Sequence, residues 1–175
     1  MYYGEIKNYD IANGLGVRVS LFVSGCTNKC EGCFQPQTWD FRYGRPFTEE
    51  TVDEILEMLA PDYINGLTVL GGEPFEPANQ CELLPFLKKV RNIYPDKDIW
   101  IFSGFTLDEL TEEGSYCRTE FTDEMLRLAD VLVDGRFVLA KKNIALQFRG
   151  SENQRVLDMN KTRETGKPVL LDMPR

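Results

Sequence analysis

Residues 17–33 read Val17-Arg18-Val19-Ser20-Leu21-Phe22-Val23-Ser24-Gly25-Cys26-Thr27-Asn28-Lys29-Cys30-Glu31-Gly32-Cys33. The first seven residues are rich in β-branched and aromatic side chains, which predicts a buried strand. Ser24-Gly25 ends that strand, and three cysteines with the spacing C-x3-C-x2-C follow directly. The segment therefore predicts a site built on the loop that leaves the carboxyl end of a strand.

The rest of the chain alternates between predicted strands and predicted helices. Further strands are predicted at residues 67–70, 98–102 and 131–133, and two more at residues 144–148 and 169–171. One helix is predicted from a Thr48 cap to Pro61, and another runs through residues 83–90 with a kink or late start at Pro85. A capping box at residues 106–109 and a start at Thr122 predict two shorter helices.

This alternation favours parallel strands joined by right-handed crossovers. The chain has 175 residues, whereas a complete eight-fold barrel usually needs about 250. The sequence therefore predicts an α/β fold: an incomplete (partial) β/α barrel of parallel strands with outer helices. We expect it to form one domain over residues 1–175.

Glycine-containing turns follow the predicted strands on one side of this fold. They are Gly71-Gly72-Glu73-Pro74, Ser103-Gly104 and Asp134-Gly135. Because the carboxyl ends of parallel strands meet at one edge of a sheet, we expect these turns to lie near the cysteine loop.

Composition excludes several classes of function. The chain has 28 acidic and 20 basic residues, a net charge of −8, which argues against a nucleic-acid partner. No apolar run is long enough to span a bilayer and the amino terminus has no signal-peptide pattern, so we expect a cytoplasmic protein without a membrane partner. The chain has no histidine, which excludes Ser-His-Asp and Cys-His catalysis and histidine-ligated zinc.

The cysteine spacing favours an iron–sulfur cluster. Three thiolates on one loop can ligate three irons of a cubane cluster, and the fourth iron stays open to an external ligand. One alternative is a structural zinc site that takes Cys81 or Cys117 as its fourth ligand, although zinc sites usually pair their cysteines. A second alternative is a set of unrelated reduced thiols.

The combination of C-x3-C-x2-C after a first strand with Gly71-Gly72-Glu73-Pro74 after a second resembles the radical S-adenosylmethionine (SAM) superfamily. Residues 10–26 resemble its glycyl-radical-enzyme activases. Two segments, Cys30-Glu31-Gly32-Cys33-Phe34-Gln35-Pro36 and Arg149-Gly150-Ser151-Glu152-Asn153-Gln154-Arg155-Val156, are similar to the activases of anaerobic ribonucleoside-triphosphate reductase. Gly32 departs from the superfamily, which often places an aromatic residue before the third cysteine.

The resemblance implies an oxidoreductase with two cofactors, a [4Fe-4S] cluster and SAM. Reductive cleavage of SAM would yield a 5′-deoxyadenosyl radical that takes hydrogen from a glycine of the reductase. The metal ligands would be Cys26, Cys30 and Cys33. The SAM site would comprise Gly32, Cys33, Phe34, Gly71, Gly72, Glu73, Pro74, Ser103 and Asp134, with no further catalytic side chain.

Plainer interpretations of these residues stay open at this point. Phe34 is equally consistent with burial in the core, Ser103 with a turn, and Asp134 with a cap. The resemblance also implies a flavodoxin or ferredoxin as electron donor. Alternative functions are an activase for another glycyl radical enzyme, such as pyruvate formate-lyase, and a non-catalytic zinc or iron–sulfur module.

Overall fold

The computed structural model describes residues 1–174, which form seven strands and five α-helices. The strands are β1 (Tyr2–Asp10), β2 (Arg18–Val23), β3 (Arg45–Pro46), β4 (Gly66–Gly71), β5 (Asp98–Phe102), β6 (Val131–Asp134) and β7 (Arg155–Asp158). The helices are α1 (Glu49–Leu59), α2 (Pro77–Ile93), α3 (Leu107–Thr111), α4 (Thr122–Leu128) and α5 (Met159–Thr165). Short 3₁₀ turns span Pro36–Trp39 and Leu139–Lys141.

All seven strands join one mixed sheet in the order β3-β1-β2-β4-β5-β6-β7. The central pairs β2–β4, β4–β5 and β5–β6 are parallel, as predicted. The outer pairs β1–β2, β1–β3 and β6–β7 are antiparallel. The α/β class is confirmed, but the sheet is open with β3 and β7 at its edges, so a partial barrel is not confirmed.

Side chains of the central strands alternate between two different environments. One set packs with the buried residues of α1, α2 and α4 in the main core, and its strand members are Val19, Leu21, Val23, Leu67, Val69, Ile99, Ile101 and Leu132. The alternate set faces away from the helices and includes Phe22, Leu70, Trp100, Phe102 and Val133. The helices thus cover one face of the sheet, and the other face is left to line a cavity.

Helix starts follow the local sequence closely. Thr48 and Thr106 each cap a helix through a complete capping box, α1 with Thr51 and α3 with Glu109. α2 begins at Pro77, so the late start predicted from Pro85 is wrong. Pro85 lies on the exposed side of α2, where water can bond the carbonyl that lost its amide partner.

Several strands were missed or misplaced by the sequence pattern. Residues 144–148 form a loop instead of a strand, and residues 169–171 contribute only an isolated bridge between Leu170 and Leu157. β7 lies at residues 155–158, and β1 occupies residues 2–10 with a mostly half-exposed pattern that conceals its strand character. Both pair only antiparallel, β7 at an edge and β1 between β2 and β3, and burial on one face leaves such strands a weaker apolar signal.

At the amino edge of the parallel strands, a buried Arg18 ties three strands together. Its guanidinium donates to Thr68 Oγ1 at 2.7 Å and to the carbonyl of Leu67 at 2.9 Å, and it pairs with Asp98 at 2.6 Å. The group also lies 5.3 Å from the ring centroid of Trp100. The cysteines follow the opposite ends of the strands. Among the described residues, no helix has the length and apolar character needed to cross a bilayer.

Candidate functional site

The three clustered cysteines open onto a single cavity of about 580 Å³ on the helix-free face of the sheet. Its walls include Phe22, Leu70 and Phe102 from the strands, and the turns after β2, β4 and β5. The volume is in the range of small-molecule sites, and its mixture of an apolar floor with a few polar groups is typical of them. The sequence prediction that these turns share one edge is confirmed.

The turn after β4 holds the cysteine loop in place. The amide of Gly72 donates to Val23 O at 2.7 Å, and the amide of Glu73 donates to Gly25 O at 2.8 Å. A Cβ at Gly72 would lie 2.7 Å from Gly25 O and 2.9 Å from Thr38 O. The absence of a side chain is therefore required by the close approach of the cysteine loop. The Gly72 carbonyl accepts no hydrogen bond from residues 1–174, so it is available to a ligand.

Glu73 joins three loops from a position with no exposed surface. Its Oε1 accepts from the amide of Gly104 at 2.6 Å and from Asn28 Nδ2 at 3.3 Å. Its Oε2 accepts from Ser103 Oγ and from the amide of Phe75, both at 2.8 Å. The carboxyl group thus connects the turns after β4 and β5 with the cysteine loop.

Burial changes the acid–base properties of this region. It raises the pKa of Glu73 to about 7, against the opposing effect of the donors from Phe75, Gly104 and Ser103. Burial also raises the pKa of Cys26 to about 11, and the nearby Glu73 carboxyl adds to the effect. The pKa of Cys30 is raised by burial too. A metal that binds here must therefore displace thiol protons.

Backbone amides approach each of the three sulfurs. The amides of Asn28 and Lys29 lower the pKa of the Cys26 thiol, and the amide of Phe137 lowers that of Cys30, both against the larger effect of burial. Cys33 Sγ accepts from the amide of Gln35 at 3.4 Å. All five cysteines are free thiols. Amide donors around thiolates are characteristic of iron–sulfur sites, so the donor set fits a cluster.

Within residues 1–174, no three Cys, Asp or Glu side chains converge tightly enough to hold a single metal ion. A cubane cluster makes a different demand, because each thiolate binds its own iron and the sulfurs stay apart. Cys81 is exposed and Cys117 is buried elsewhere, and neither lines the cavity.

The cavity brings together most of the residues predicted for the SAM site. Five of them line it beside the cysteines: Phe34, Gly71, Gly72, Glu73 and Ser103. Phe34 is 64% exposed and packs against Phe137 at a ring distance of 5.2 Å, so it is not a core residue. Gly32 and Pro74 do not reach the cavity surface.

Asp134 also lies outside the cavity lining. Its carboxylate accepts from Arg155 Nε at 3.0 Å and Nη2 at 2.6 Å, and from the amide of Leu107 at 2.7 Å. These contacts tie β6 to β7 and to the first turn of α3. Asp134 therefore serves the surrounding structure, as the cap interpretation of this residue anticipated.

Sequence reasoning missed the residues that brace the cysteine loop from outside. Asn28 Oδ1 accepts from Arg136 Nε at 3.1 Å, and Arg136 forms two further bonds with Glu109 at 2.9 and 3.0 Å. The buried Glu76 accepts from the amide and the hydroxyl of Thr27 at 2.7 and 2.6 Å. These residues are far apart in sequence, and no local motif connects them.

The segment from Arg149 to Arg155 has a structural role that its sequence did not disclose. Gln154 Oε1 accepts from the amides of Gly150 and Ser151 at 2.8 and 3.0 Å, while its Nε2 donates to Gly135 O at 2.9 Å. Asn153 Nδ2 donates to the carbonyl of Arg136 at 2.8 Å. The segment thereby fastens the loop of residues 135–151, which forms one wall of the cavity.

Comparisons with known proteins find a matching family model and several similar proteins. The family model described as a 4Fe-4S single cluster domain matches residues 12–157. The chain is 42% identical over 156 residues to the anaerobic ribonucleoside-triphosphate reductase-activating protein of Pasteurella multocida (strain Pm70). The matched residues make up 88% of this chain and 95% of that protein. The proteins of the same name from Enterobacteria phage T4 and Escherichia coli (strain K12) are both 39% identical, over 89% and 88% of this chain and 93% and 96% of theirs.

Proposed function

Because the chain belongs to the family of anaerobic ribonucleoside-triphosphate reductase-activating proteins, with a 4Fe-4S single cluster domain, we propose that it is a radical SAM activase. Its target is a glycine of the anaerobic ribonucleoside-triphosphate reductase. The observation that carries the proposal is the opening of Cys26, Cys30 and Cys33 onto one cavity beside the glycine turn after β4.

Cys26, Cys30 and Cys33 would hold a [4Fe-4S] cluster through three irons, and the fourth iron would be open to SAM. When bound, the cluster would supply the electron, received from a flavodoxin or ferredoxin, for a reductive cleavage of SAM that removes a hydrogen atom from the glycine and gives methionine and 5′-deoxyadenosine. We place this reaction in the cytoplasm, where reduced thiols persist.

The residues of this chain bind and orient SAM, and they shield the reaction from water. The carbonyl of Gly72, which accepts no hydrogen bond from residues 1–174, would accept from the ammonium group of SAM. Phe22, Leu70 and Phe102 form an apolar floor that excludes water from a reactive radical. Glu73 fixes the distance between the turn after β5 and the cysteine loop, since its Oε1 accepts from both the amide of Gly104 and Asn28 Nδ2.

The test is anaerobic activation of the reductase. The reconstituted protein, SAM, a chemical reductant and the reductase should together give the electron paramagnetic resonance (EPR) doublet of a glycyl radical. The same mixture with pyruvate formate-lyase should stay silent, and the reverse result would move the assignment to another activase. Metal analysis separates the non-catalytic alternative, because one zinc without sulfide contradicts the proposal, whereas about four irons with matching sulfide support it.

A further inference from the structure

We propose that the mouth of the cavity carries the docking surface for the protein whose glycine is activated, and that this surface selects apolar side chains flanked by carboxylates. The inference rests on the proposed function. We name this surface the rim patch, and its residues are Phe34, Val138, Leu139, Lys141, Lys142 and Ile144.

The rim patch exposes large apolar side chains close together. Ile144 is 92% exposed, Phe34 64% and Leu139 44%. Leu139 packs over Gly32 in the cysteine loop, and Lys142 Nζ lies 5.5 Å from the ring centroid of Phe34. Single exposed apolar residues are ordinary, but a contiguous group at the entrance to a site indicates an interaction surface.

The loop of residues 135–151, which carries most of the rim patch, has a charge opposite in sign to that of the whole chain. Residues 135–151 contain Arg136, Lys141, Lys142 and Arg149 and no acidic residue, although the net charge of the chain is −8. Arg136 is neutralised by Glu109. Within the described residues, no carboxylate lies within salt-bridge distance of Lys141 or Lys142. These two ammonium groups are therefore available to carboxylates of a partner.

Hydrogen bonds fasten the loop of residues 135–151, which carries every residue of the rim patch except Phe34. Ser151 Oγ accepts from the amide of Val138 at 3.1 Å, and Lys142 pairs with Ser151 in an antiparallel bridge. Gln154 and Asn153 fasten the two ends of the loop, as described above. A surface that is already ordered loses little entropy when a partner binds, which suits recognition.

The position of the rim patch identifies its occupant. A glycine of another protein reaches the cysteines only through the helix-free side, because the helices cover the opposite face of the sheet. The polypeptide on either side of that glycine must then rest on the residues at the mouth. A second copy of this chain is a poorer candidate, since two copies that each carry a charge of −8 repel one another.

The experiment uses Lys141→Glu, Ile144→Asp and the double variant, with Lys88→Glu and Ile93→Asp as controls. The controls place the same changes on α2, at another exposed lysine and at Ile93, which is 48% exposed. Glycyl radical formation is measured against reductase concentration with dithionite as reductant. The double variant should raise the KM for the reductase about tenfold or more. SAM cleavage without reductase should stay within about twofold of wild type in Lys141→Glu, because Lys141 does not line the cavity.

Binding of the reductase, measured by sedimentation, keeps the test independent of the chemistry. If the wild type binds the reductase and the double variant does not, docking is supported even where no glycyl radical forms and the proposed function has failed. Equal binding and equal KM for wild type and double variant would overturn the inference. It is also overturned if Ile144→Asp converts a wild-type dimer to a monomer, or if the variants lose only flavodoxin-driven reduction, because the surface then belongs to a second copy or to the electron donor.

Discussion

The cysteines divide into two groups that differ in their surroundings. Cys26, Cys30 and Cys33 share a cavity wall and receive backbone amide donors. Cys81 is exposed on α2, and Cys117 is buried in the main core. The sequence separated the two groups of cysteines by their spacing alone, and the structure shows that their surroundings also differ.

Substitution of single cysteines should follow that division. Each of Cys26→Ala, Cys30→Ala and Cys33→Ala should reduce the iron content of the anaerobically reconstituted protein from about four irons per chain to a small fraction of that. Each should also abolish the cluster EPR signal. Cys81→Ala should retain both. Cys117→Ala should retain the iron and lose about 1 kcal/mol of stability, because it leaves a small void in the core. Iron and sulfide assays with urea unfolding check all five; full iron in any of the first three contradicts the ligand assignment.

Glu73 should give the cluster-free protein a pH-dependent stability. The pKa of this carboxyl is about 7 in the folded protein and 4.5 without the fold. Between these values the folded protein holds a proton that the unfolded chain has released, so stability falls as the pH rises through this range. The full effect is roughly 3 kcal/mol.

The comparison variant is Glu73→Gln, which cannot titrate. It should be less stable than wild type at acidic pH, because an amide cannot satisfy all of the donors around the carboxyl group. Its melting temperature should change less than that of wild type between pH 5 and pH 8. Parallel curves of melting temperature against pH for the two proteins would show that Glu73 does not titrate in that range.

At the scale of secondary structure, the side chain of Gln154 makes three of the hydrogen bonds that fasten the loop of residues 135–151. Gln154→Ala removes three hydrogen bonds, to Gly150, Ser151 and Gly135. Hydrogen exchange at the amides of residues 150 and 151 should accelerate about tenfold or more, since each lost bond is worth about 1 kcal/mol. Exchange in β4 should not change. Gln147→Ala, in the same loop but exposed, is the control and should leave both regions as in wild type.

The elements that the sequence predicted well have strong local signals. The capping residues Thr48 and Thr106 and the apolar runs of β2, β4, β5 and β6 lie where expected. β1, β7 and α5 escaped prediction, because their stability comes from pairing and packing with distant segments and much less from their own pattern. The mutual positions of Glu73, Asn28 and Arg136 depend on the whole fold, and only the motif around Glu73 was visible beforehand.

At the scale of the whole molecule, stability and site chemistry lie at opposite edges of the sheet. Arg18→Met breaks the buried cluster at the amino edge, which should cost about 3 kcal/mol. Arg127→Met, an exposed arginine on α4, should change stability by less than about 0.5 kcal/mol. Urea unfolding measures both. The cluster EPR signal of Arg18→Met should match that of wild type at a temperature where the variant is folded, and an altered signal would show that the two edges are coupled.

The alternation along the central strands has a practical consequence. Val19, Leu21 and Val23 of β2 belong to the core under the helices, whereas Phe22 faces the cavity. Leu70 and Phe102 repeat the cavity-facing position on the neighbouring strands. Positions that specify the fold and positions that select the ligand therefore alternate along the same strands. Substitutions at the cavity-facing positions can admit a bulkier or more polar ligand while the core-facing positions continue to specify the fold.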